Sequence, residues 1–323
     1  MPQLSIMTWC MTRSAARLAV VIVALFGTIA VVRSQAVRGG TPQTTGPQPE
    51  NSLQNAPVSI QQDVAYGTVA GHPLLLDIYA PGDHSSTWRP AVVLIHGGSW
   101  TGGDKEFMRS MASFLSRSGF VAFAVDYRLF NGKENLWPAQ LDDVQRAVRW
   151  IRANAAKYGV NPDHIGAFGH SAGAQLAALL GMEETRDNSD SLLAKYSSRV
   201  QAVVDVSGPT DFTTGHDADG DTFFPSFFGG DFAHHAEFWR DASPVFHVSK
   251  NVAPFLIFHG TLDTDVAIKQ AQELTDKLKQ AGVPVKFVTV NDGHTFEKPE
   301  VRRQLALESE IFFAHYLRLD DVR

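Results

Sequence analysis

The residues that could do chemistry begin with a serine held between two glycines. The string Gly169-His170-Ser171-Ala172-Gly173 fits Gly-x-Ser-x-Gly, and it lies between an apolar run over 164–168 and an Ala/Leu-rich stretch over 172–180. Where a strand turns sharply into a helix at such a string, the glycines let the backbone pass closely and the serine hydroxyl stands clear of the sheet. The strand-turn-helix setting favours a nucleophile at Ser171 over a tight turn without chemistry.

A serine nucleophile needs a histidine to take its proton and a carboxylate to orient that histidine. On this kind of sheet the expected chain order is Ser, then Asp or Glu, then His. Asp263 and Asp265 follow a strand-like run over 254–258, and His294 follows another over 283–290. Both loops would lie at the carboxyl ends of parallel strands, where open α/β sheets bind their ligands. His294 is the predicted base, and either aspartate could be the acid.

A second glycine-rich string, His96-Gly97-Gly98-Ser99-Trp100, closes an apolar run upstream. The tetrahedral intermediate of acyl transfer carries a negatively charged oxygen, which preorganised backbone N–H groups stabilise. Glycines suit this task because no side chain blocks the approach. The string predicts an oxyanion hole rather than a merely flexible strand-end loop.

These strings make the chain resemble the α/β-hydrolase superfamily, and more narrowly its esterase branch of hormone-sensitive-lipase-like carboxylesterases and bacterial feruloyl and acetylxylan esterases. The resemblance covers roughly residues 60 to 318. It rests also on Leu76-Asp77-Ile78-Tyr79, on Asp126-Tyr127-Arg128-Leu129, on the stretch over 138–143 and on the His-Gly-x-x-Asp and Gly-His strings. It implies an α/β-hydrolase fold, with a mostly parallel twisted sheet, helices on both faces and a small cap insertion.

The resemblance also implies a role for each matching residue and a serine hydrolase that acts on carboxylic esters without a cofactor. The family pattern places the acid three residues after the His-Gly glycine, which selects Asp263 and leaves Asp265 as the alternative. The implied catalytic residues are Ser171, Asp263 and His294, and the implied oxyanion-hole residues are Gly97, Gly98 and Ala172.

An aromatic-rich insertion over about 208–250 precedes the acid loop, where related esterases place a cap. We expect about half of its rings only to pack the cap onto the body, and the others to roof an apolar pocket. The candidate substrate-binding residues are Trp100, His170, Phe223, Phe224, Phe227 and Phe228. An apolar roofed pocket would favour a hydrophobic or aromatic acyl group.

The expected substrate is a small-molecule or polysaccharide-linked ester, such as an acetyl, hydroxycinnamoyl or short-chain alkyl ester. Amide chemistry of the amidase or peptidase type on the same fold is the alternative within catalysis. A non-catalytic binding protein of this fold would usually lack the serine or the histidine, and this chain keeps both.

Other partners are disfavoured by composition and spacing. The formal charge is −6 and the pI is near 6.0, which provides no basic footprint for nucleic acid. No His-x-Glu or Cys-x-x-Cys pattern indicates zinc. The acidic string over 217–221 is only weakly similar to a calcium loop, because its glycine is misplaced and Phe228 stands at the closing position. No metal site is predicted.

The amino terminus predicts export. Arg13 and Arg17 precede an apolar run over 18–32, and Ser34-Gln35-Ala36 offers small residues for a signal peptidase. We expect a signal peptide over 1–36 and a secreted or periplasmic protein. The alternative is an uncleaved membrane anchor formed by residues 18–32, and only in that case is membrane contact expected.

Two further segments follow the leader. Residues 37–58 are rich in Pro, Gln, Thr and Gly and cannot bury enough apolar surface to fold, so they read as a disordered linker. Residues 59–323 form one α/β catalytic domain, a length that suits a single core. The chain has one cysteine, Cys10, so the domain is expected to fold without disulfides.

Overall fold

The computed structural model of this 323-residue chain describes residues 57–82, 88–214 and 222–317. The predicted leader over 1–36, nearly all of the predicted linker over 37–58 and the acidic string over 217–221 therefore lie outside the described residues. No helix within the described residues is long and apolar enough to cross a membrane.

Eight strands of the described chain form one sheet in the spatial order β1-β2-β4-β3-β5-β6-β7-β8. The opening β1–β2 hairpin and the β2–β4 pair are antiparallel, and every later pair is parallel. This confirms the expected mostly parallel sheet. The strands are β1 (Val58–Val69), β2 (His72–Pro81), β3 (Arg89–Ile95), β4 (Val121–Val125), β5 (Val160–His170), β6 (Ala202–Val206), β7 (Phe255–Gly260) and β8 (Val285–Val290).

Helices connect the parallel strands and cover both faces of the sheet, as right-handed βαβ crossovers require. They are α1 (Arg109–Arg117), α2 (Ala139–Ala153), α3 (Ala155–Tyr158), α4 (Ala172–Met182), α5 (Phe223–Phe227), α6 (Phe232–Asp241), α7 (Ile268–Gln280) and α8 (Pro299–Tyr316), with 3₁₀ helices at Lys105–Met108 and Pro244–Phe246.

Alternation along the strands divides the core into two layers. In β3, Val92 and Leu94 face a cluster that includes residues of α1 and α8, whereas Val93 and Ile95 face one that includes residues of α2, α4, α7 and the cap. Because successive side chains of a strand point to opposite faces, an uninterrupted apolar run supplies both layers. The central strands thereby become rigid supports for the loops at their carboxyl ends.

The sequence predicts one helix over 141–158, and this prediction is wrong at one point. Helix α2 ends at Ala153 and α3 begins at Ala155, because Asn154 leaves the helical conformation with φ of −107°. Its side-chain amide donates to the carbonyl of Trp150 at 2.8 Å, a local bond that competes with continuation of the helix.

Candidate active site

Ser171 occupies the turn between β5 and α4. Its φ of 55° and ψ of −122° are strained for a residue with a side chain. The turn is fixed by its glycines, since a Cβ on Gly169 would lie 2.1 Å from the carbonyl oxygen of Gly173, and a Cβ on Gly173 would lie 2.2 Å from that of Ile95. The N–H of Ser171 donates to the carbonyl of Val206 at 2.8 Å. The geometry is that of the predicted nucleophile turn.

The predicted oxyanion loop lies against this turn. A Cβ on Gly97 would come within 3.0 Å of the Cβ of Ser171, and Gly98 has φ of +118°, which favours glycine. Ala172 is the first residue of α4, where backbone N–H groups lack intrahelical acceptors and the helix dipole favours negative charge. The structure thus brings the three predicted oxyanion-hole residues together around Ser171.

His96 and Tyr127 brace the glycine loop from below. Their rings stack with centroids 4.4 Å apart, the His96 Nδ1 lies 2.7 Å from the carbonyl oxygen of Gly97, and the Tyr127 hydroxyl donates to the carbonyl of His96 at 3.0 Å. Burial lowers the pKa of His96, against the opposing effect of the Gly97 carbonyl, so its ring is neutral at pH 7. His96 supports the loop and does not face the nucleophile turn as a base.

The structure selects Asp263 rather than Asp265 as the partner of His294. Asp263 Oδ2 lies 2.8 Å from His294 Nδ1, and the Asp263 side chain is fully buried. Asp265 is exposed, and its N–H donates to Asp263 Oδ1 at 2.9 Å, beside a second bond from the N–H of Val266 at 2.8 Å. Burial alone would raise the pKa of Asp263, but the Val266 N–H and the His294 ring hold it below its usual value. The carboxylate therefore stays ionised.

His259, the histidine of the His-Gly-x-x-Asp string, is a buried neighbour of the acid. Its Nε2 lies 2.9 Å from the carbonyl oxygen of Val266 and 3.3 Å from Asp263 Oδ2. Burial lowers its pKa despite both partners, so the ring is neutral and donates rather than forming an ion pair. The His-Gly-x-x-Asp string relates the two residues in the sequence, whereas the approach of their side chains is seen only in the fold.

His170 connects the nucleophile turn to the base. Its Nε2 lies 3.0 Å from the carbonyl oxygen of His294, and the two rings are 5.1 Å apart. Burial lowers the pKa of His170, so it donates as a neutral ring. Among the described residues no hydrogen bond joins the Ser171 hydroxyl to the His294 ring; such bonds often tighten only when substrate binds.

The aromatic residues predicted to bind substrate separate into two groups. Phe227 and Phe228 are at most 2% exposed and pack in the cap core against Trp137 and Trp239. Phe223 and Phe224 are partly exposed. The burial favours packing for the first pair and leaves the second pair as the candidates for substrate contact, in line with the expected division of the rings.

Trp100 is the centre of this aromatic cluster. Its ring lies 5.2 Å from Phe227 and 6.3 Å from Phe224, and its Nε1 donates to Gln175 on α4 at 3.2 Å. Gln175 in turn donates to the carbonyl of Ala242 in the cap at 2.8 Å. Trp100 therefore ties the glycine loop to the cap, a role that the sequence alone did not reveal.

A cleft of about 270 Å³ lies between the cap and the acid loop. It is bounded by Phe212 and Phe224 on the cap side and by Asp265 and Val266 on the other. Within the part of the chain that the structure describes, no group of three or more His, Cys, Asp or Glu side chains could hold a metal ion.

The fold and this arrangement of serine, histidine, aspartate and glycine loop define the class of the protein as an α/β-hydrolase. The chain belongs to the BD-FAE family, whose pattern matches residues 76–278, more than half of the sequence.

Curated relatives in Mycobacterium tuberculosis indicate the same class. The chain is 32% identical over 248 residues to the probable carboxylic ester hydrolase LipM and 30% identical over 217 residues to esterase LipC. These alignments cover 75% and 64% of this chain but 57% and 52% of the relatives. The chain thus spans about half the length of the curated relatives it matches.

Solved esterase structures share the fold over most of their length. A truncated carbohydrate esterase from gut microbiota superposes with a TM-score of 0.69 at 26% identity, covering 80% of this chain and 96% of that one. A butyrate-bound structure of Est2, a thermophilic esterase from Thermogutta terrifontis, gives a TM-score of 0.69 at 25% identity and covers 82% of this chain and 95% of that one. These neighbours confirm the predicted α/β-hydrolase fold.

Proposed function

We propose that this chain is a serine carboxylesterase that hydrolyses short-chain or aromatic esters through an acyl-enzyme on Ser171. The observation that carries the proposal is the buried Asp263–His294 pair, 2.8 Å apart, placed at the same sheet edge as the strained Ser171 turn and the glycine loop. Esterase relatives and neighbours support ester rather than amide chemistry.

The proposed reaction has two halves. His294 takes the proton of Ser171 as its oxygen attacks the ester carbonyl, and Asp263 holds the imidazole in the useful tautomer and stabilises its charged form. The N–H groups of the glycine loop and Ala172 stabilise the oxyanion. His294 then protonates the departing alcohol, and water attacks the acyl-enzyme to release the acid.

The acyl group is proposed to be small or aromatic. The cleft beside the acid loop has both apolar and polar walls, among them Phe212, Phe224 and Asp211, and its volume of about 270 Å³ is at the small end of ligand pockets. The butyrate-bound neighbour and the carbohydrate esterase neighbour make acetyl and other short acyl esters, free or carried on polysaccharide, the first substrates to test.

Export is part of the same proposal and is supported by the sequence only. Arg13, Arg17 and the apolar run over 18–32 are typical of a secretory leader. The mass of the chain recovered outside the cytoplasm would test it, since cleavage after Ala36 leaves a protein that begins at Val37. An intact chain retained in the membrane fraction would instead favour the anchor.

The experiment that tests the activity is hydrolysis of p-nitrophenyl acetate, butyrate and octanoate and of methyl ferulate by the full chain, beside its Ser171→Ala variant. Turnover by the native chain that disappears in the variant is expected, with the short or aromatic esters preferred. A folded native chain that hydrolyses none of them, or a variant that retains full activity, would overturn the proposal.

A further inference from the structure

A second cavity, which we call the α1–α8 groove, lies on the face of the sheet opposite the cap. It has a volume of about 520 Å³, within the range of small-molecule sites. Its walls come from the 3₁₀ helix and α1 on one side, from the ends of β5 and β6 below, and from the His294 loop and α8 on the other. Its principal apolar lining residues are Phe107, Met111, Phe114, Phe168, Phe296 and Leu305.

The groove approaches the proposed catalytic residues through His170 and the loop that carries His294. Its lining includes His170, which immediately precedes the nucleophile, and Thr295, which immediately follows the base. The ring of Phe107 lies 5.6 Å from that of His170, and the ring of His170 lies 5.1 Å from that of His294. A molecule in the groove would therefore contact His170, whose ring adjoins that of His294.

In the proposed reaction, the leaving alcohol must face His294, because the imidazole hands its proton to that oxygen. The arm of the alcohol must then continue away from the acyl group. The cap residues that pack against Trp100 belong to the core layer on the other face of the sheet. The α1–α8 groove lies next to the His294 loop, and its volume of about 520 Å³ is large enough to receive the arm.

The lining describes the chemistry of that arm. Phe107 is 60% exposed, so its ring is accessible to a ligand in the groove. At the α8 side the groove is bordered by Arg302 and Arg303, both exposed. Arg302 donates to the carbonyls of Phe296 and Glu297, and neither arginine forms an ion pair with an acidic side chain among the residues that the structure describes. Apolar walls with a positively charged rim match an apolar group that ends in an anion.

We infer that the α1–α8 groove is the leaving-group subsite, and that it selects esters whose alcohol arm is aromatic or similarly apolar and carries a carboxylate or other anion at its far end. This inference rests on the proposed function and adds the class of alcohol to it.

The test compares acetate esters that differ only in the alcohol. Ethyl acetate has no arm to fill the groove, 2-naphthyl acetate has an apolar arm, and 6-acetoxy-2-naphthoate has an apolar arm ending in a carboxylate. All three form the same acetyl-enzyme on Ser171, so the groove should act on kcat/KM and leave the rate of deacylation unchanged. For each ester, the kcat/KM of the variant is divided by that of the native chain, which removes the intrinsic reactivity of the ester from the comparison.

Two exposed positions supply variants that should fold normally. Arg303→Gln should lower kcat/KM for 6-acetoxy-2-naphthoate about fivefold to tenfold and leave 2-naphthyl acetate within about twofold, a range ordinary for one charged contact. Phe107→Ala should lower both naphthyl esters about fivefold and leave ethyl acetate unchanged. The matched controls are Arg240→Gln on the exposed side of α6 and Phe246→Ala, which should change none of the ratios.

The outcomes separate the two proposals. If the native chain hydrolyses these esters but Arg303→Gln and Phe107→Ala behave like their controls on all three, the groove is not the leaving-group subsite, while the esterase proposal stands. If Phe107→Ala has its effect but Arg303→Gln does not, the groove binds the apolar arm but does not select an anion at its far end. If a folded native chain hydrolyses no ester, it is the proposed function that fails.

Discussion

At the scale of single residues, two aspartates only two positions apart have opposite surroundings. Asp263 is buried and bonded to His294, whereas Asp265 is exposed and lends only its backbone N–H to its neighbour. The difference in position arises because the loop after β7 folds around the Asp263 carboxylate. Two chemically identical side chains thereby acquire different roles.

Replacing each aspartate tests this difference. Asp263→Asn should lower kcat by about 10³- to 10⁴-fold, because the amide favours the wrong imidazole tautomer. Asp265→Asn should change kcat less than about threefold, since only its backbone takes part. Both constants would be measured on one p-nitrophenyl ester, with circular dichroism as the folding check. Equal and mild losses at both positions would contradict the assignment of the acid.

The glycine loop offers a similarly matched pair. An alanine at Gly98 would have an unfavourable φ of +118° and a Cβ 2.2 Å from the carbonyl oxygen of Gly102, whereas a Cβ at Gly102 meets no atom within 4 Å. Gly98→Ala should displace the oxyanion donors and lower kcat about 10²- to 10³-fold. Gly102→Ala should keep most of the activity. Comparable activity in the two variants would show that the loop does not bind the oxyanion.

Local strings were enough to predict the residues that lie next to one another in the chain or follow a recognisable strand. The turn at Ser171, the glycine loop and the loop position of His294 belong to this group. The bond from His170 to the carbonyl of His294 joins residues 124 positions apart, and no local pattern encodes it. The same holds for the Trp100–Gln175 contact. The packing of strands and helices creates these contacts, so only the folded chain reveals them.

At the scale of elements, α8 holds the His294 loop against the sheet. Its Phe313 is fully buried, and the ring packs so closely on β5 that a Cβ on Gly166 would lie 2.6 Å from it. Arg302, on the first turns of the same helix, donates to the carbonyls of Phe296 and Glu297 in the loop. The position of the base therefore depends on a helix that itself contains no catalytic residue.

Two alanine substitutions on α8, one at Phe313 and one at Ile311, test this dependence. Phe313→Ala should lower the free energy of unfolding by about 3–5 kcal/mol, as expected for a buried ring replaced by a cavity. Ile311→Ala, at a side chain that is 64% exposed, should change it by less than about 0.5 kcal/mol. Urea denaturation of both variants provides the values. Similar losses would mean that α8 is not anchored through Phe313.

The cap shows what sequence patterns leave undecided at this scale. A run of phenylalanines over 223–228 is compatible with packing and with substrate contact, since both use apolar rings. The one-turn helix α5 turns Phe227 inward, against Trp100 and Trp137, and leaves Phe223 and Phe224 partly exposed. The rotation of the helix about its axis determines which rings pack inward and which stay exposed. A five-residue helix is too short for its sequence pattern to reveal that rotation.

At the scale of the whole molecule, one buried acid gives the fold a pH dependence of its own. Asp205 on β6 is fully buried; its Oδ1 accepts from the N–H of Gly208 at 3.0 Å, and its Oδ2 has no partner among the described residues. Burial raises the pKa of Asp205 to about 7, against the opposing effect of the Gly208 N–H. The folded chain therefore keeps a proton that the unfolded chain loses near pH 4.

The sign of the effect follows from proton linkage. Between about pH 4 and pH 7 the native state binds the extra proton, so the free energy of unfolding falls as pH rises through this interval and levels off above it. The expected loss from Asp205 is on the order of 1–4 kcal/mol. In Asp205→Asn that part of the slope should vanish. Urea denaturation at pH 5 and pH 8 measures it, and an identical pH difference in native and variant chains would contradict the assignment.

The order of the strands along the chain also determines the order in which the proposed catalytic residues are synthesised. Ser171 and the glycine loop belong to β3, β5 and α4, whereas the acid and the base follow β7 and β8, and α8 comes last. A chain emerging from the ribosome therefore contains its nucleophile more than one hundred residues before its base. For all of that interval the nascent protein is unable to carry out the proposed acyl transfer. Under the proposed mechanism, hydrolysis requires the final strand and the helix that follows it, so an unfinished chain would hydrolyse no ester.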